Sequence, residues 1–125
     1  MLDAWEQRST DDVRRRVEAE GGDAAGKARK AGLLTFAPDL LPIDLAVREW
    51  ARRDAEVAAR LRRVDNRRMD YLRELISTMS GDAEDVDARA MLAFSLVIGD
   101  HMIAADRFVG GRARVLRDAT RLILG

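Results

Sequence analysis

Residues 90–105, AMLAFSLVIGDHMIAA, constrain this chain more than any other stretch. Placed on a helix they are apolar nearly all round, and a helix without a polar face must be covered on most sides. A chain of 125 residues buries only about two-thirds of its unfolded surface in one core. Four or five neighbouring helices cover such a segment in part, so the stretch predicts a helical domain with a partner subunit against the remainder.

The rest of the sequence repeats the helical signal, with no alternation of period two long enough for a sheet. Residues 2–20 form a charge-rich first helix with Trp5, Val13 and Val17 as a thin apolar stripe, ended by Gly21-Gly22. Asp23 caps a weaker helix over 24–36, where Gly26 and Gly32 each cost about 1 kcal/mol against alanine. Pro38 and Pro42 bracket a break, and Pro42 suits the start of a third helix because its missing N–H is no loss there. On that helix Ile43, Val47, Trp50 and Ala51 share a face.

Asp54 is the expected N-cap of a long helix reaching about Ser80. Its stripe runs through Val57, Leu61, Val64, Leu72, Leu75, Ile76 and Met79, and is interrupted at residues 65–68, where a kink or a solvent-facing stretch is expected. Gly81 stops it, and Asp82, Glu84, Asp85 and Asp87 complement the N-terminal dipole of the next helix. After Gly110-Gly111, a last helix over 112–124 is expected to bury Val115, Leu116, Ala119, Leu122 and Ile123. This is one domain, residues 1–125, all-α, with about five to six helices.

Composition narrows the function. Lys+Arg and Asp+Glu both number 22, and zero net charge argues against a free-standing nucleic-acid binder. Without cysteine there are no disulfides, thiolate metal sites or cysteine nucleophiles. Twenty of the basic residues are arginine, a bias typical of a GC-rich bacterial genome. Neither a signal peptide nor a stretch of about 20 apolar residues is present, so no membrane span is predicted and the expected compartment is the cytoplasm.

Motifs for chemistry are thin. Residues 21–28, GGDAAGKA, approach a phosphate loop, but Ala28 stands where a hydroxyl must meet Mg²⁺ and no buried strand precedes it. The acidic run lacks the glycine and final glutamate of a calcium loop. His101, the sole histidine, lies beside Asp100 at a poor angle for a ligand pair, and Ile98 replaces the acid of an E-x-x-H pair. Arg60, Arg62, Arg63, Arg67 and Arg68 read as a solvated face offset by Asp65, Asp70 and Glu74, with phosphate or DNA contact as the alternative. With no nucleophile–base pair, no enzyme and no cofactor are expected.

Three segments taken together carry a resemblance: LDAWEQRSTDDVRRRVEAEGGD, PIDLAVREWARRDAEVAARLRRVDNRRMDYLRELI and DARAMLAFSLVIGDHMIAAD. In this order they resemble the C-terminal domain of TetR-type (tetracycline-repressor-like) transcriptional regulators, most specifically over residues 43–72, a Trp-bearing helix, Arg-Arg-Asp and a long helix. The resemblance implies an effector-binding and dimerisation domain. In such domains the last two long helices, here about 84–108 and 112–124, pair with their symmetry mates, which makes Leu92, Leu96, Val115 and Leu122 candidates for a homodimer interface. The implied pocket for a small hydrophobic effector lies among the earlier helices, with Trp50, Tyr71, Phe94 and His101 as candidate lining. Residues 2–20 correspond to the helix that links this domain to a helix-turn-helix head, and DNA is expected as a partner only through such a head, which no part of this sequence matches. The alternative is a helical dimerisation or interaction protein with no effector.

Overall fold

The computed structural model describes residues 2–79 and 81–124, and these are helical almost throughout. In chain order the helices are α1 (Leu2–Ser9), α2 (Asp11–Glu20), α3 (Ala24–Thr35), α4 (Leu41–Ala51), α5 (Ala55–Ile76), α6 (Ala83–Met102) and α7 (Arg112–Leu124). No strand occurs among the described residues. The all-α expectation holds. The seventh segment arises because the expected first helix is two.

That break falls at Thr10, whose ψ of −83° departs from the helix. Ser9 Oγ donates to the Trp5 carbonyl at 2.7 Å and Thr10 Oγ1 to the Glu6 carbonyl at 2.5 Å. Hydroxyls returning to the preceding turn bend helices, and Asp11 and Asp12 then supply a favourable new N-terminus. The other boundaries follow local chemistry. Asp23 accepts from the Gly26 amide, Asp54 from those of Glu56 and Val57, and Asp82 from that of Glu84. The Gly21-Gly22 and Gly110-Gly111 pairs run through positive φ, where a side chain is strained.

The long helix α5 organises the packing, bearing α4 on one flank, α6 on another and α3 across it. Its stripe serves two clusters. Val57 and Val64 join Trp5 and Val47, while Tyr71, Leu75 and Ile76 join Val13, Val17, Ala28, Ala31, Val86, Ala90 and Leu124. Residues 65–68 bring no break, because α5 is continuous to Ile76; Ser80, its expected end, lies outside the described residues. Nor is residue 68 on a solvated face. Arg68 is 7% exposed and falls in the register of Val64, Tyr71 and Leu75, between the two clusters.

Three of the other four arginines of the run, Arg60, Arg63 and Arg67, bind partners from outside their own helix. Arg60 pairs with Asp3 and Glu6, Arg63 with Glu6, and Arg67 with Glu6 and Asp11. They form a seam holding α1 and α2 against α5.

The apolar segment stops short of its expected length. Helix α6 ends at Met102, and residues 103–107 are irregular and exposed. Arg112 explains the stop, since its guanidinium meets Asp100 Oδ1 at 2.9 Å and donates to the carbonyls of Asp100 and Ala105, both at 2.6 Å. The bond to Asp100 satisfies a carbonyl of the last turn that no further turn would, and the bond to Ala105 holds the segment after it. In α7, Leu124 is buried, whereas Leu122, expected inside, is 82% exposed. No helix among the described residues is long and apolar enough to cross a membrane.

Candidate functional site

A cavity of about 580 Å³ lies between α2, α3, α5, α6 and α7, within the roughly 300–1,000 Å³ that accommodate small-molecule ligands. Its walls are chiefly apolar: Val13, Ala31, Leu72, Ala93, Val97, Leu116 and Ile123 contribute. Small residues make the room. Gly32 brings α3 so near α6 that a Cβ there would stand 3.2 Å from Val97 Cγ2, and both residues face the cavity. At Gly26 a Cβ would stand 2.8 Å from Asp23 Oδ1, so the missing side chain leaves room for the Asp23 cap on this residue's amide.

Tyr71, Phe94 and His101, three of the four expected lining residues, lie on this wall. Trp50 does not line it. The indole is 38% exposed on α4, while Val47, on the same helix, is 1% exposed and packs with Trp5, Val57 and Val64. The face shared by Ile43, Val47 and Ala51 turns to α5, and Trp50 falls at its solvent edge. Of the expected interface residues, Leu92 and Leu122 are exposed and Val115 is half-buried, whereas Leu96 is half-buried on the cavity wall.

Phe36, at the C-terminus of α3, is the hub of the aromatic wall. Its ring meets Phe94 edge-on at 6.1 Å and lies 5.9 Å from the His101 ring. The Arg68 guanidinium sits 5.5 Å from the Phe36 centroid and 5.4 Å from that of Trp5, placing the cation between the two rings.

Behind the aromatic wall is a four-residue ion cluster. Arg48 grips Asp65 through two bonds of 2.9 Å and Asp44 through one of 2.9 Å. Arg68 lies 2.9 Å from Asp44 and 3.3 Å from Asp65. Asp44 is fully buried, and a buried carboxylate of this kind is tolerated only because two cations face it. The Arg68–Asp44 contact is an ion pair without hydrogen-bond alignment, and Arg68 Nε meets no acceptor. Stacking on Trp5 and Phe36 compensates the poor alignment in part.

Tyr71 adds a polar link. Its hydroxyl donates to Glu18 at 3.0 Å, and Arg14 lies 4.9 Å over its ring. Burial, reinforced by the neighbouring Glu18 carboxylate, pushes the phenol well above its ordinary value, so it stays a neutral donor. Asp100 is occupied by Arg112 and the His101 ring lies tilted beside Phe36, which leaves these sequence neighbours apart in role.

Phe36 and Arg68 were not among the expected lining residues, although Phe36 is of the bulky type that lines such pockets. The signal for Arg68 was its place at a core position of the α5 stripe, which a charged residue disguises. Phe36 carried no local signal beyond its bulk. Comparisons with family models, with curated proteins and with solved structures each find no match to this chain.

Proposed function

We propose that this chain is the effector-binding and dimerisation domain of a TetR-type transcriptional regulator, its ligand being a small, largely apolar molecule held in the cavity between α2, α3, α5, α6 and α7. The carrying observation is the cavity itself, about 580 Å³ with mainly apolar walls, inside an all-helical chain. The order of helices adds support: a Trp-bearing helix, a long central helix and two final helices follow one another as the resemblance implies. The cavity holds Tyr71, Phe94 and His101 together without placing a nucleophile beside a base, an arrangement suited to holding a molecule rather than breaking a bond. Operator binding is assigned to a helix-turn-helix head and to none of the seven helices described.

A ligand that binds only the folded state raises its melting temperature by mass action. In a thermal-shift screen with small apolar and amphipathic molecules, some members are expected to raise the melting temperature of the wild-type chain. Val97→Phe, which fills the cavity and deletes no polar contact, should abolish those shifts. If no member of the panel shifts the wild type, the effector reading fails and an interaction domain without effector takes its place.

A further inference from the structure

The charged groups around the cavity are not evenly satisfied. Arg14 is paired with Glu74, Arg67 with Asp11, Arg68 with Asp44 and Asp65, and Asp100 with Arg112. Two cations on the wall, Arg29 of α3 and Arg117 of α7, have no carboxylate within 4.0 Å among the described residues. Their neighbours are provided for. Lys27 and Lys30 on α3 bind Glu18 and Glu20 of α2, and Asp118 on α7 takes Arg114 and Arg121.

Both unpaired arginines are exposed, so they stand on the solvent side of the cavity, while the walls behind them are apolar. Arg62 and Arg107 also have no carboxylate within 4.0 Å among the described residues, but neither lines the cavity. In a chain with equal numbers of acidic and basic residues, two unmatched, exposed positive charges on the wall of one cavity are a local excess open to a ligand from solvent. Guanidinium groups bind carboxylates and similar oxyanions through paired N–H donors.

We propose that the ligand is an amphipathic anion, its hydrocarbon or aromatic body inside the cavity and its anionic head at the mouth with Arg29 and Arg117. The proposal rests on the effector-cavity reading above and specifies the chemical class of the effector. An uncharged apolar molecule would leave the two arginines as they are. A cationic amphiphile would be repelled by them.

Calorimetric titration with octanoate, 1-octanol and octylammonium separates the possibilities, since the three differ mainly in the head group. The wild-type chain is expected to bind octanoate about tenfold more tightly than 1-octanol, a modest factor because both arginines are partly screened by water. Octylammonium should bind most weakly, and the octanoate preference should narrow as salt is raised. Arg29→Gln/Arg117→Gln should bind 1-octanol as the wild type does and lose the preference for octanoate; both positions are exposed, and an unchanged circular dichroism spectrum verifies the fold. Equal affinity for octanoate and 1-octanol in the wild type, or a preference that survives in the double variant, overturns the anion proposal and leaves the cavity reading standing. Failure of all three to bind the wild type overturns both.

Discussion

Glu6 shows how one side chain holds an element in place. It projects from α1 toward α5 with only 14% of its side chain exposed. Arg63 donates to it at 2.7 and 3.0 Å, Arg60 at 3.3 Å, and Arg67 lies 3.6 Å away. The hydrogen bonds from Arg63 lead in holding its carboxyl below the usual value, helped by the charges of Arg63, Arg60 and Arg67 and opposed by burial. Because the folded-state value is depressed, the stabilisation is present above the unfolded-state range near pH 4.5 and is lost as pH falls through the folded-state value. Glu6→Gln is therefore expected to cost about 1–2 kcal/mol at pH 7, with the difference from wild type shrinking below about pH 4. Urea denaturation at several pH values checks this. A cost that is the same at pH 7 and at pH 3 would show that the charge is not what holds α1.

The helices owe their boundaries to a few local devices, and α5 depends on one of them. Asp54 Oδ1 accepts from the amides of Glu56 at 2.9 Å and Val57 at 3.3 Å, and α5 in turn carries α1, α3, α4 and α6. Asp54→Ala should cost about 1 kcal/mol and Asp54→Ser much less, because serine can accept the same bonds; chemical denaturation measures both, and equal losses would sink the capping explanation. Caps of this kind are why α3 and α5 were legible in the sequence, since Asp23 and Asp54 act on amides two or three residues away, whereas α6 was announced by Gly81 and its acidic run, in which Asp82 proves to be the cap. What escaped the sequence depended on distance or on competition. Arg68 is inside because Asp44, on another helix, is there to meet it. The split at Thr10 reflects two hydroxyls returning to earlier carbonyls within what otherwise reads as one amphipathic run. Tyr71, Phe94 and His101 came together at the site, while Trp50 missed it by lying at the edge of its helical face.

For the molecule as a whole, the segment that is apolar all round is covered on one side only. Met91 is 61% exposed, Leu92 54%, Met102 67% and Ile103 57%, and on α7 Leu122 is 82% exposed. Exposed large side chains scattered singly are ordinary, whereas a contiguous apolar patch is a candidate for burial by a partner. The inner side of α6 is already used, because Ala93, Val97 and His101 face the cavity and Val86 and Ala90 the core. A second copy on the outer side would bury what the chain itself leaves open, and the proposed dimerisation through α6 and α7 requires it. Sedimentation equilibrium at tens of micromolar is expected to give twice the chain mass of 14.0 kDa. Leu92→Glu/Leu122→Glu should yield the single-chain mass, since each introduced carboxylate would lose its water at the interface. The same substitutions touch little in the isolated chain, so the variant should keep its helical spectrum and its octanoate binding. A wild type that sediments as a single chain, or a dimer indifferent to both substitutions, would place the contact elsewhere or remove it.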